Sequence, residues 1–254
     1  QYFPPEVGAT QTRAYEMARG LVQAGHRVTM IAEVPNHPSG IVPPEYRGRW
    51  VERSTLDGID VLRVWVKASP VKTFKSRMAF YLSYMADAAL VGALKAHGPF
   101  DVVYATSPPL FVGAAGLALH WLKRAPLVFE VRDLWPESAV ALGELSSPRA
   151  IAWAGQLEEL CYNRASRIVV VTEGIRQRLI ERGFPAGKLA LIPNGANTDL
   201  FRRQPEPGAQ FRAAQGIAPD AFVAVYAGIH GIAQGLETVL HAASLLRNDP
   251  AVRF

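Results

Sequence analysis

Groups that build disulfides and metal clusters are scarce in this chain. Its 254 residues include one cysteine, Cys161, so no internal disulfide can form and cysteine metal clusters are excluded. A reducing, cytoplasmic setting fits that scarcity. A GxGxxG fingerprint is also missing, and no acidic residue ends the second strand in a clear ribose-binding place, Glu33 being the nearest. A dinucleotide oxidoreductase is therefore disfavoured. The longest uncharged run, residues 102–122, is broken by Ser107-Pro108-Pro109. A strand, a turn and a buried helix account for it better than a membrane span.

What is present is ordinary globular material, 49% hydrophobic and 19% charged, with ample apolar mass for a core. The length suits one large α/β domain, or one domain plus part of another. The net charge of +5 favours an anionic partner without choosing among nucleic acid, a membrane surface and a phosphorylated small molecule. Both ends read as cut. The chain starts at the exit of a first strand and stops as another begins.

Residues 127–137 organise the rest. Leu127-Val128-Phe129 opens an apolar strand, and Glu130, Arg132 and Asp133 then stand where it should end. Leu134-Trp135-Pro136 turns the chain away. Charges at the carboxyl end of a buried parallel strand are costly unless paired or used, and open α/β sheets bind ligands at that edge. This stretch is read as the floor of a cleft.

Strand and helix periods alternate around it. After the loop 4–10, Ala14, Met17, Ala18, Leu21 and Val22 form one apolar helix face, closed by Gly25. Gly8 allows close backbone approach at that helix N-terminus, where phosphate is favoured. A strand is expected at 28–32, a loop at 35–49 and a hairpin over 50–66 turning at Asp57-Gly58. A helix is expected at 75–97 and a strand at 101–106. The helix 110–122 is nearly all apolar, with His120 as a satisfied core histidine. Further helices and strands are expected at 149–164, with Glu158 and Glu159 on the exposed side, and at 168–172, 175–182 and 189–193. This is a doubly wound parallel α/β sheet.

Two readings fit the stretch 61–86, which has five basic residues, Arg63, Lys67, Lys72, Lys75 and Arg77, and no acidic one. Phe74, Phe80, Tyr81 and Tyr84 interleave with them. It is a basic-aromatic lip for anionic lipid headgroups or a lipid diphosphate, or a solvated basic face over core aromatics.

Three segments are expected: an N-terminal Rossmann-like domain over 1–195, a linker over 196–220, and the start of a second Rossmann-like domain over 221–254. In the last, Gly228, His230, Gly231, Gln234 and Gly235 form a glycine-rich turn between a strand at 222–227 and a helix at 236–246. Such a loop can offer backbone N–H groups to phosphate.

Five stretches in register carry a family resemblance: Tyr2-Phe3-Pro4-Pro5-Glu6-Val7-Gly8-Ala9, Thr106-Ser107-Pro108-Pro109, Arg132-Asp133-Leu134-Trp135-Pro136-Glu137-Ser138, Ile192-Pro193-Asn194-Gly195, and Tyr226-Ala227-Gly228 through Ala233-Gln234-Gly235-Leu236. With them the chain resembles GT-B glycosyltransferases of family 4, of the bacterial capsule, O-antigen and colanic-acid (fucosamine-transferase-like) type. The resemblance implies a retaining hexosyl or N-acetylhexosaminyl transfer from a nucleotide-sugar donor, without metal or cofactor. It implies a polyprenyl-diphosphate-linked or other glycan acceptor, at the inner face of the cytoplasmic membrane, and no nucleic-acid partner.

The site residues follow from it. Arg132 and Asp133 are the expected catalytic pair, with Arg132 clamping phosphate and Asp133 orienting it. Gly8 and the loop holding Gly228, His230, Gly231, Gln234 and Gly235 are expected to face the donor diphosphate from opposite domains. Ser107, Glu130, Trp135, Glu137, Lys72, Lys75 and Arg77 are expected on the acceptor side. Many members carry histidine where this chain has Arg132, and arginine and lysine where it has His230 and Gln234. A chain that ended at Phe254 would lack most of the donor domain and is expected to be inactive.

Two alternatives remain. A nucleotide-sugar 2-epimerase would share the two domains and the phosphate loops. A non-catalytic basic module would bind phosphates of membrane or nucleic acid, but it has no use for charges at the end of a buried strand.

Overall fold

The computed structural model describes every residue except Lys72 and Leu200. It divides into two compact units, Gln1–Gly195 and Ala196–Phe254.

Unit 1 runs α1 (Ala9–Gln23), β1 (Thr29–Glu33), β2 (Val51–Leu56), β3 (Ile59–Val64), α2 (Phe74–Lys95), β4 (Val103–Ser107), α3 (Phe111–Lys123), β5 (Leu127–Val131), α4 (Glu137–Ala141), α5 (Pro148–Arg164), β6 (Arg167–Val170), α6 (Glu173–Glu181) and β7 (Leu189–Leu191). One sheet has the order β1-β3-β2, with β1 parallel and β2 antiparallel to β3. The β2–β3 turn is tight because Asp57 and Gly58 both adopt positive φ, 46° and 80°. The second sheet is wholly parallel, β4-β5-β6-β7.

Alternation along β3 sorts side chains to two faces. Ile59 and Val61 pack with Ala18 of α1 and with Phe3. Leu62 and Val64 belong to a larger core shared with α2, α3 and the parallel sheet. In β5, Leu127, Phe129 and Val131 enter that larger core, so Glu130 faces the other way. Helix α3 lies close on the sheet. A Cβ on Gly113 would come within 2.9 Å of the Phe129 ring, and one on Gly116 within 2.7 Å of the Ala105 Cβ.

Several expectations are corrected. Leu21 is exposed, and α1 packs through Ala14, Tyr15, Ala18 and Val22 instead. The reason is that the helix meets its sheet with a narrower stripe than the apolar spacing offered. Glu158 is 2% exposed, not on the solvent side. Its carboxylate accepts from Tyr162 Oη (2.7 Å) and from Arg182 Nη2 (2.6 Å), a charged partner outside its own helix. His120 is half-buried, with Nδ1 2.6 Å from the Ala125 carbonyl oxygen.

Unit 2 contains α7 (Pro205–Ala214), β8 (Phe222–Val223), α8 (Glu237–Leu245) and β9 (Val252–Arg253). The stretch read as linker thus carries a helix, started by Pro205 in its first turn, where a missing N–H costs nothing. Strand β8 is shorter than expected and pairs in parallel with β9.

Candidate active site

Register decides what stands at the carboxyl edge of the parallel sheet. Thr106 of β4 and Glu130 of β5 are paired neighbours and share a face. On it the Thr106 hydroxyl donates to Glu130 Oε2 at 2.6 Å. Arg13 of α1 donates to Glu130 Oε1 through Nε (2.9 Å) and Nη2 (2.5 Å). The same guanidinium donates to the Ile192 and Pro193 carbonyls, each at 3.2 Å. Glu130 is 2% exposed and both its oxygens are occupied. Expected on the acceptor side, it instead pins α1 to the sheet. Arg13 was not singled out in the sequence, because its partner lies 117 positions away.

Arg132 follows β5, and its backbone N–H donates to the Ser107 carbonyl at 2.9 Å. Its Nη1 donates to Thr10 Oγ1 at 3.2 Å and its Nη2 to the Pro108 carbonyl at 3.0 Å. Its Nε is buried without a partner. Burial lowers the guanidinium pKa and nearby Glu130 raises it; at any physiological pH it stays charged.

Thr10 lies in the first turn of α1, two residues beyond Gly8. That turn holds no acidic residue, and its N-cap, Gly8, supplies no side-chain cap. Its first N–H groups therefore lack intrahelical acceptors, as at any helix start. Gly8 is extended (φ 168°), and a Cβ there would meet only the end of the Gln11 side chain, with Oε1 at 2.6 Å. The edge thus gathers a cation and uncapped amides, a set suited to an oxyanion.

Asp133 departs from its expected role. Its Oδ2 accepts from Ser138 Oγ at 2.9 Å. The Arg132 guanidinium hydrogen-bonds to Thr10 and Pro108, and Asp133 acts on it through its charge. Ser107 is buried, and Glu137 is exposed and ion-paired with Arg178 at 3.1 Å. Trp135 is partly buried against Phe111, ring centroids 6.4 Å apart. Lys75 and Arg77 are exposed on the first turns of α2, while Lys72 lies outside the described residues. Glu6 points inward and accepts the N–H groups of Asn36 (2.5 Å) and His37 (2.6 Å).

In unit 2, Gly228, His230, Gly231, Gln234 and Gly235 fall in one exposed loop ahead of α8. Gly231 N–H donates to Gln234 Oε1 at 3.0 Å, so one amide expected to be open to phosphate is already taken. A Cβ on Gly228 would crowd the Tyr226 hydroxyl at 2.9 Å, and Gly235 adopts φ +55°. His230 lies 5.8 Å from the Tyr226 ring, centroid to centroid. No group of three or more potential metal ligands occurs among the described residues.

These features define a class: a Rossmann-like α/β fold of GT-B type with an anion-ready sheet edge. The fold is shared with Anabaena HepE, whose crystal structure in complex with UDP and glucose superposes with a TM-score of 0.57 at 16% identity, over 89% of this chain and 59% of that one. The profile of the Glycosyl transferase 4-like domain matches residues 8–195, and the chain belongs to that family. It is 21% identical, over 98% of its length, to an Escherichia coli K12 protein named as a colanic acid biosynthesis glycosyl transferase, WcaI. It is 30% identical, over 65% of its length, to a D-inositol 3-phosphate glycosyltransferase of Streptomyces bingchenggensis. The chain spans 62% and 36% of the lengths of these two relatives. No described helix is long and apolar enough to cross a membrane.

Proposed function

We propose that this chain serves a retaining glycosyltransferase that moves a hexosyl or N-acetylhexosaminyl group from a nucleoside-diphosphate sugar to a polyprenyl-diphosphate-linked glycan, in surface-polysaccharide synthesis. The observation that carries the reading is Arg132. Its guanidinium stands at the carboxyl edge of the parallel sheet, bonded to Thr10, beside the uncapped start of α1. A diphosphate leaving group gains negative charge as the glycosidic bond breaks. A fixed cation and oriented amides in a part-buried place stabilise that charge more in the transition state than in the bound donor. Relatives named as glycosyltransferases, and a neighbour of the same fold bound to UDP and glucose, support the donor class.

Unit 1 takes the acceptor in this reading, and unit 2 is assigned to the donor. Charge neutralisation is assigned to protein groups. The exposed Lys75 and Arg77, next to the 55% exposed Phe74, suit contact with an anionic membrane at the cytoplasmic face. Lys75→Ala should reduce transfer to an acceptor in anionic vesicles but not to a short soluble one; equal losses reject the membrane contact.

The test uses the full-length protein. Nucleoside diphosphate should be released only when donor and acceptor are both present; release without acceptor favours a 2-epimerase. Arg132→Ala should lower turnover at least ~100-fold, the scale of losing one transition-state contact, with an unchanged unfolding temperature. Near-normal turnover would remove Arg132 from the mechanism.

A further inference from the structure

The chain leaves unit 1 past the end of β7. Ile192 follows that strand, and its N–H donates to the Val170 carbonyl at 2.9 Å, which extends the ladder with β6 by one residue. The carbonyls of Ile192 and Pro193 lie beyond the ladder, on exposed residues, where water would ordinarily satisfy them. Both instead accept from Arg13, which stands 180 positions before Pro193. Nη2 donates to Ile192 and Nη1 to Pro193, each at 3.2 Å.

The chemistry of arginine explains how one side chain reaches so much. A guanidinium carries five N–H donors in a rigid plane. Glu130 takes two of those on Arg13, from Nε and Nη2, and the two carbonyls take two more. Glu130 is 2% exposed and Arg13 12%, so the ion pair already fixes the arginine rotamer. The carbonyl bonds then form without a further loss of side-chain freedom, the cost that makes most surface contacts weak. The support behind Arg13 is firm as well. Ala14, Tyr15 and Ala18 pack α1 against Ile59 and Val61 of β3. One turn before Arg13, Thr10 bonds Arg132. One face of α1 thus holds both the sheet edge and the exit from the unit.

Beyond Pro193 the character changes. Asn194, Gly195 and Ala196 are exposed and make no hydrogen bond among the described residues. No described atom beyond its chain neighbours lies within 4 Å of where a Gly195 Cβ would be. Anchorage resumes at Asn197. Its side-chain oxygen accepts the Asp199 N–H at 3.1 Å, and its carbonyl accepts the Phe201 N–H at 2.9 Å. Three unbonded residues therefore lie between two anchored ones, at the boundary of the compact units.

We propose that Arg13 is a positioning residue for the connection between the units: it fixes the point at which the chain leaves unit 1 and confines the pivot to Asn194-Gly195-Ala196. The consequence for activity rests on the transferase reading, in which both units serve one transfer. An exit that frays back into β7 slows that transfer.

Hydrogen exchange of the full-length protein, resolved to single amides, tests the anchor without turnover. In the wild type the Ile192 amide should be protected, and those of Asn194, Gly195 and Ala196 should exchange at unprotected rates. Arg13→Lys keeps a cation for Glu130 but loses the planar fork. It should speed exchange at Ile192 about tenfold or more, the scale of one charge-assisted hydrogen bond. The Arg132 amide, bonded to the Ser107 carbonyl, should be unchanged. An unprotected Ile192 in the wild type overturns the anchor whether or not the variant folds. Protection across 194–196 overturns the pivot. Equal acceleration at Ile192 and Arg132 is general loosening and overturns the local role. In transfer assays Arg13→Lys should lower kcat about tenfold or more. An unchanged kcat beside a loosened exit overturns the consequence for activity. A lowered kcat beside an unchanged exit overturns the anchor, since Arg13 then acts elsewhere. Local loosening by the variant of a protein that transfers no sugar would refute the transferase reading and support the anchor.

Discussion

Arg13→Ala removes the only charged partner, among the described residues, bonded to the Glu130 carboxylate, which is 2% exposed. Glu130 would keep the Thr106 hydroxyl and lose both guanidinium contacts. Breaking a buried pair by deleting one member costs about 3–5 kcal/mol. Arg13 itself is 12% exposed, so water can reach part of the space it leaves, and the lower end, about 3 kcal/mol, is expected. At about 2–4 °C per kcal/mol for a chain of this size, the midpoint should fall by about 6–12 °C. All five tryptophans lie in unit 1, so tryptophan fluorescence during urea unfolding reports that unit alone. Glu130→Ala and the double variant complete a cycle. The double variant should be more stable than the sum of single losses implies, because it leaves no unpaired buried charge. A loss under about 1 kcal/mol for Arg13→Ala, or strict additivity, would refute the claim that this pair holds α1 on the sheet.

Two further outcomes follow from burial. Glu33 is 1% exposed, and burial raises its pKa from 4.5 to about 8, against the opposing hydrogen bonds from Gln1 and Asn36. Its folded pKa lies above its unfolded one, so the native state binds the proton more tightly. Its contribution should thus be best below pH 4.5 and decline as pH rises to about 8. Glu33→Gln should flatten that part of the stability–pH curve in urea unfolding; an unaltered slope rejects the assignment. Burial, with a smaller push from Glu158, raises the Cys161 thiol to about 12. The thiol should react with a disulfide reagent only as fast as unit 1 opens, so a rapid native-state reaction would contradict the packing of α5 against α3.

The candidate site was legible in part. The apolar run 127–129 followed by charges marked the sheet edge correctly, since such a pattern has few stable outcomes in a parallel sheet. What each charge does there was not legible. Arg132 kept a place at the anion-ready edge. Asp133 turned to Ser138, and Glu130 was consumed by Arg13. The charged partner of Glu158 and the partners of Glu6 were equally hidden, because each is donated by another element.

Local pattern alone determined the alternation of strands and helices, the Asp57-Gly58 hairpin and the buried α3. Those are consequences of short-range periodicity and turn chemistry, which a linear string contains. Tertiary structure alone decided which charges are spent on architecture and which remain free. The physical reason is that the cost of burying a polar group depends on what lies opposite it, and that neighbour comes from another part of the chain.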